Sequence, residues 1–346
     1  MRVWVLAAAV AVSLALALPA GADRPSTWPG VAPAVPNAPP VRKHMRANTD
    51  WFKQARWGVF THYLTGADTS VEEWNRLVDS FDVAGLARQL QEVGAPYYFI
   101  TLGQNSGHYC SPNQAYDSAV GIRPSKCSRR DLVADLYAAL HPLGIRLLVY
   151  LPAGAPDQDR VAMEKLEWQS GPHRNLEFQG RWEAVIAEWS RRWGKKVSGW
   201  WFDGCYWPDA MYRFPDPPNF ASFARAAKAG NPQSLVAFNP GVLNPIISLS
   251  EYEDYTAGEI DSRAGVFPAC PGRRVSGAQW HMLSFLGSWW CGGEQPAHPD
   301  ELIIKVTREA NARGGVVTWD VPIGRNGLIP EPFLRQLQAL RQALGR

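Results

Sequence analysis

Short runs of apolar, β-branched and aromatic residues alternate along this chain with longer stretches whose apolar positions recur every three or four residues. Trp57-Gly58-Val59-Phe60-Thr61-His62 opens the series, followed by residues 83–93, where Leu86 and Leu90 stand four apart. Tyr97-Tyr98-Phe99-Ile100-Thr101-Leu102 is the second run, and residues 131–140 follow with Leu132, Leu136 and Leu140 at helical spacing. Residues 145–151 form the third run. A helical stretch at 182–193 leads to the fourth, Val197-Ser198-Gly199-Trp200-Trp201-Phe202. Residues 235–238 make a fifth run, and 316–319 an eighth, preceded by the helical stretch 300–312.

Strands alternating with helices imply parallel pairing through helical crossovers, and nearly continuous apolar strands suit a sheet covered on both faces. An open doubly wound sheet gives the same alternation, but no Gly-x-Gly-x-x-Gly follows the first run. Polar residues instead stand just beyond several runs: His62, Gln104 with Asn105, Asp203, Asn239 and Asp320. A barrel gathers such strand ends into one site at its C-terminal face. The expected fold is therefore α/β, a (β/α)8 TIM-type barrel over residues 48–346. Its sixth and seventh strands must lie within 248–288, where periodicity does not place them.

The start of the chain has a different character. Arg2, the apolar run 3–18 and the small residues of Pro19-Ala20-Gly21-Ala22 have the form of an export signal, with cleavage expected after Ala22. A membrane anchor needs about 20 apolar residues, and no later stretch qualifies. The expected location is thus secreted or periplasmic. Residues 23–47, with Pro33, Pro36 and Pro39, suit an extended linker. The formal charge is +3 and the basic residues are scattered, which indicates neither nucleic-acid nor membrane binding.

Five cysteines in an exported chain allow two disulfides, expected here as Cys110–Cys127 and Cys270–Cys291, with Cys205 left as a small buried thiol. Seven histidines form no pair at ligand spacing, and no His-Glu-x-x-His, phosphate loop or Gly-x-Ser-x-Gly is present. No metal or other cofactor is expected.

Asp203 carries the most chemistry. It leaves an apolar strand at a turn, among Trp201, Phe202, Tyr206 and Trp207. An aspartate in that place can simply cap the next helix or bond the turn. A carboxylate among sugar-sized aromatic planes also supplies what a retaining glycosidase uses, an attacking oxygen and faces on which a pyranose stacks. The chain has 16 tryptophans, with Trp51, Trp57, Trp74, Trp201, Trp207, Trp280, Trp289 and Trp290 near expected strand ends or loops.

Several stretches together resemble the α-L-fucosidases of glycoside hydrolase family 29. They are 51–63, from Trp51-Phe52-Lys53 to Thr61-His62-Tyr63, then Glu73-Trp74-Asn75, Arg130-Asp131-Leu132-Val133, Trp201-Phe202-Asp203-Gly204, and Gly315-Val316-Val317 leading to 322–330. They follow in the family's order from about Asp50 to the C-terminus. The resemblance implies a nucleophilic Asp203 and a sugar subsite that includes His62 and Trp74; Trp201 and His281 are expected to contact substrate as well. Where many relatives have a Lys-His-His-Asp-Gly stretch, this chain has Gly103-Gln104-Asn105-Ser106-Gly107, so Gln104 and Asn105 are expected to line the glycone pocket with hydrogen-bonding groups. The chain stops after the helical stretch 331–344, and the expected fold lacks the β-sandwich domain that often follows the barrel.

A retaining reaction also needs a proton donor. Glu259 is the first candidate because it follows an expected sixth strand and Gly258, with Glu253 and Asp254 as competitors. Many relatives place the acid in a Trp-Glu pair, and the nearest match here is Trp280-His281, which makes His281 a further candidate. Two functional readings result. The first is an exported retaining exo-glycosidase acting on terminal α-L-fucose or a related sugar of a glycan; the second is a non-catalytic carbohydrate-binding protein on the same barrel.

Overall fold

The computed structural model describes residues 46–345, so the expected export signal and all but the end of the proline-rich stretch lie outside the described residues. The chain runs α1 (Asp50–Ala55), β1 (Trp57–Thr61), α2 (Val71–Asp79), α3 (Val83–Glu92), β2 (Tyr97–Thr101), α4 (Gln114–Val120) and α5 (Leu132–Leu140). It continues through β3 (Arg146–Pro152), α6 (Arg160–Leu166), α7 (Leu176–Trp193), β4 (Val197–Asp203), α8 (Pro208–Met211), α9 (Phe220–Ala227) and β5 (Leu235–Phe238). A small hairpin of β6 (Arg274–Val275) and β7 (Ala278–Gln279) precedes β8 (His281–Phe285), α10 (Asp300–Ala312), β9 (Val316–Asp320) and α11 (Glu331–Ala343).

Seven strands form one parallel sheet in the order β5-β4-β3-β2-β1-β9-β8. It is a curled sheet of the TIM-like kind. Between its edge strands β5 and β8 lies the segment 254–260, which occupies the place expected for a sixth strand without being a regular one. Tyr255 and Glu259 make isolated parallel bridges to Gln279 and Leu283 on one side. On the other, the Asp254 amide donates to the Val236 carbonyl at 2.7 Å. Side chains supply further ties: Tyr255 Oη donates to the Trp200 carbonyl and Trp201 Nε1 to the Ala257 carbonyl.

The reason this segment is irregular is local. Gly258 has φ +63°, and a Cβ placed on it would lie 1.9 Å from the His281 carbonyl oxygen. A strand residue needs negative φ, so the ladder breaks there, one residue before Glu259.

Strand side chains alternate between two faces, and here the alternation sorts them into two apolar layers. Phe60, Tyr97, Phe99, Leu148, Tyr150, Trp201, Ala237 and Leu283 fill the interior of the curl. Their neighbours Val59, Tyr98, Ile100, Val149, Trp200, Phe202 and Val236 face outward with Leu86, Leu90, Leu136 and Trp189 of the helices. Each Val, Leu, Ile or Phe among them, fully buried, contributes about 1.5–3 kcal/mol. The interior is solid: the gap among Phe60, Phe99, Trp201, His281 and Leu283 leaves no room for a water molecule.

The two expected disulfides are not formed, and all five cysteines are free thiols. Tyr109 pairs with Cys127 across an isolated parallel bridge, so Cys110, next along the extended chain, turns its side chain the other way and contacts the Thr101 carbonyl. Cys270 contacts the Gly272 carbonyl, while Cys291 is exposed on a separate loop. Cys205 is buried, as expected of it. Among the described residues no helix is long and apolar enough to cross a membrane.

Candidate active site

The interior parity of the strands continues beyond their ends. Two residues after an inward-facing side chain the next one faces inward again, and this rule brings His62 (after Phe60), Asp203 (after Trp201) and Asn239 (after Ala237) to one end of the curl, where Glu259 meets them beyond the kink at Gly258. Asp320, the last residue of β9, joins them.

Asp203 and Glu259 meet on a single nitrogen. Asn239 Nδ2 donates to Asp203 Oδ1 at 2.8 Å and to Glu259 Oε2 at 2.7 Å. Those two carboxylate oxygens therefore lie no further apart than the two bonds laid end to end, about 5.5 Å. Tyr150 Oη donates to the other Asp203 oxygen at 2.6 Å, and Gln104 Nε2 donates to Tyr150 Oη at 2.7 Å. The result is a connected chain from Gln104 to Glu259. Tyr150 lies nearly parallel to Trp201, with ring centroids 5.4 Å apart, which fixes the hydroxyl beneath the aspartate.

Burial, and after it the charge of Asp203, pushes the Glu259 carboxyl up to about 8, while the Asn239 hydrogen bond pulls the other way. At neutral pH Glu259 therefore holds a proton, which a carboxyl in water does not. Glu253 is also pushed up to about 8, by burial, but its surroundings differ. It accepts the Leu249 and Phe238 amides and is wholly buried. Asp254 is likewise engaged, by the Ala47 and Val236 amides and by Lys228. Both hold the backbone around the irregular segment.

His62 Nδ1 bonds Asp320 Oδ1 at 2.9 Å, and Asp320 Oδ2 accepts the Cys291 amide at 2.7 Å. A carboxylate only accepts, so Nδ1 is the ring nitrogen that donates in this bond. Phe60, Tyr150 and Trp290 surround the imidazole edge-on, at 4.5, 5.8 and 6.1 Å. Tyr206 and Trp207, just beyond Asp203, are 50% and 43% exposed and form an open aromatic rim.

The other expected site residues have the following surroundings. Trp74 is 1% exposed, with its indole N–H given to the Tyr109 carbonyl. Trp201 is buried in the floor. The backbone carbonyl of Asn105 accepts the Gln158 amide at 2.9 Å. His281 is the first residue of β8, at the opposite end of the parallel sheet from Asp203. It is wholly buried between the Thr256 carbonyl and Thr318 Oγ1, and burial lowers it to about 4, so it stays neutral. Trp57 and Trp280 are core residues. Tyr150 and the bridging role of Asn239 were not singled out from sequence, although the inward parity of β3 and β5 points to both. Among the described residues no cluster of three or more His, Cys, Asp or Glu side chains is placed to hold a metal ion.

No family model and no curated protein matches this chain. Among solved structures it is similar to the endo-fucoidan hydrolase MfFcnA4 of glycoside hydrolase family 107, with a TM-score of 0.67 and 17% identity over 86% of this chain and 53% of that one. The endo-fucoidan hydrolase P5AFcnA of the same family gives 0.62 and 14%, over 83% of this chain and 90% of that one. A family 29 α-L-fucosidase from Bacteroides thetaiotaomicron gives 0.58 and 16%, over 88% of this chain and 75% of that one. The chain thus spans about half the length of the first of these. At such identities the likeness is one of fold.

Proposed function

We propose that this chain is a retaining glycoside hydrolase of the fucosidase-like kind, exported by its N-terminal segment, that removes terminal α-L-fucose or a closely related sugar from glycans. The observation that carries the reading is the pairing of Asp203 and Glu259 on one amide nitrogen, with their nearest held oxygens within about 5.5 Å. Retaining glycosidases hold their carboxyls about 5–5.5 Å apart, whereas inverting ones leave about 6.5–9.5 Å for a water. The fold shared with fucose-acting hydrolases supports the sugar assignment.

The roles follow from the environments. Asp203 attacks the anomeric carbon as the carboxylate, with Tyr150 and Asn239 holding its two oxygens. Glu259 enters protonated and delivers its proton to the departing glycosidic oxygen as that bond breaks, leaving a glycosyl ester on Asp203. Glu259, now the base, takes a proton from water, which attacks the ester and restores both groups. His62, held by Asp320, and Gln104 bind sugar hydroxyls.

The test is incubation with a panel of aryl glycosides and with a 2-fluoro fucoside carrying a good leaving group, read by intact mass. The expected result is turnover of the fucoside and one covalent adduct, mapped to Asp203 and absent from Asp203→Ala. No adduct and no turnover across the panel would leave the non-catalytic carbohydrate-binding reading in its place.

A further inference from the structure

We propose that Asn239 is a positioning residue that clamps the two carboxyls to one amide nitrogen, setting their separation and giving each a fixed hydrogen-bond donor. This deepens the reading above and rests on it for its catalytic meaning. The geometry itself does not depend on that reading.

Asn239 is wholly buried and every polar group it has is engaged. Its backbone amide donates to the Phe202 carbonyl and its carbonyl accepts the Cys205 amide, both at 2.8 Å, which locks it across the turn that carries Asp203. Its side-chain oxygen accepts the Gly241 amide at 3.1 Å. An amide oxygen can face that N–H only if the NH2 group turns the other way, toward Asp203 and Glu259. The two N–H bonds then serve one carboxyl each. A neutral amide suits the place because it donates whichever carboxyl is charged, and the proton it offers is never lost within the working pH range.

The charge setting makes this donor consequential. Asp203 from β4, Tyr206 from the loop after it and Asp261 from the same segment face Glu259, while Tyr150 and Cys205 face Asp203. None of these can carry positive charge. The Asn239 N–H is thus the group that eases ionisation of Glu259, against burial and against the neighbouring carboxylate. Removing it makes the Glu259 anion harder to form.

The experiment is a 13C NMR titration of the Glu259 carboxyl, assigned by its loss in Glu259→Gln, in the intact wild-type chain, in Asn239→Ala and in Asn239→Asp. In Asn239→Ala the Glu259 midpoint is expected to rise by about one pH unit. In Asn239→Asp, which is isosteric and keeps the Gly241 contact, it rises further because a donor becomes a third acid. The aryl fucosidase pH profile of Asn239→Ala is expected to move to higher pH on its basic limb, with kcat down by about 100-fold and KM within about twofold of wild type. A merely structural residue would leave the midpoint and that limb where they were. If Glu259 titrates at the same pH in wild type and both variants, the inference is overturned. If Asn239→Ala does not fold, by urea denaturation, Asn239→Asp decides. A wild type without glycosidase activity would end the functional reading, and the titration would still decide the role of Asn239.

Discussion

Two glutamates of this protein, Glu253 and Glu259, are pushed to the same high value by burial, yet only one stands beside an aspartate at the open end of the sheet. The distinction is one of partners. Backbone amides hold Glu253, and a side-chain amide shared with Asp203 holds Glu259. Glu259 stays protonated below about 8 and loses its proton as pH rises through that value, so acid catalysis should hold on the acidic side and fade on the basic side. For glycosides with poor leaving groups, kcat/KM measured from pH 5 to 10 is expected to fall above about pH 8. Glu259→Gln should slow those substrates by about 100- to 10,000-fold. It should touch aryl glycosides with acidic leaving groups far less, since a weakly basic phenolate needs little protonation. Equal rates for both substrate types in Glu259→Gln would remove it as the donor. Asp203 and Glu259 could be singled out in the sequence because a strand-end acid and a glycine-led acid are local patterns, and the structure sets both on one amide nitrogen. His281 was misleading for a physical reason: adjacency to Trp280 says nothing about which end of a strand a residue occupies. Its place at the first residue of β8 puts it among Thr256 and Thr318, far along the strand from the open end.

Among elements, the strands seen in the sequence agree with the observed ones to within a residue or so, because each is a compact apolar run bounded by turns. The segment 254–260 escaped that reading. It contributes Tyr255 and Ala257 to the interior but breaks its ladder at Gly258, and side-chain bonds from Tyr255 and Trp201 replace the missing backbone pairs. Several helices were also passed over, although their caps were present. Ser70, Asn113, Asp159 and Asn219 each accept a backbone N–H three residues on, at the start of α2, α4, α6 and α9, a contribution of about 1 kcal/mol apiece. Short helices with few periodic positions leave only such caps to read. Gly258 gives the sharpest test at this scale. Gly258→Ala places a methyl against the His281 carbonyl at a φ that alanine avoids. Backbone strain alone costs about 1–3 kcal/mol, and the overlap adds to it. Urea denaturation is expected to show at least that loss, together with a larger drop in activity as Glu259 shifts. A Gly258→Ala variant with wild-type midpoint and rate would show that the kink is not what places the acid.

The molecule as a whole shares its curled parallel sheet with proteins only 14–17% identical to it. Such a fold survives wide sequence change because it asks for apolar runs at the right spacing and for little else. The expectation of disulfides, drawn from an expected export, is a separate matter, and it is not met: all five cysteines are free thiols. Four of the five thiols are buried, and burial raises all of them. Titration with a thiol reagent is therefore expected to find five free thiols after unfolding without reductant, and at most the Cys291 thiol in the native protein. Fewer than five after unfolding would mean that a bond forms in the chain as made. The solid aromatic floor beneath Asp203 has a different kind of consequence, one of traffic. Phe60, Phe99, Trp201 and Leu283 close the interior below Asp203, so no water-sized passage runs through the curl at that level. Under the hydrolase reading proposed above, sugar and water would then both come to the carboxyl pair from its exposed side, past the neighbouring rings of Tyr206 and Trp207.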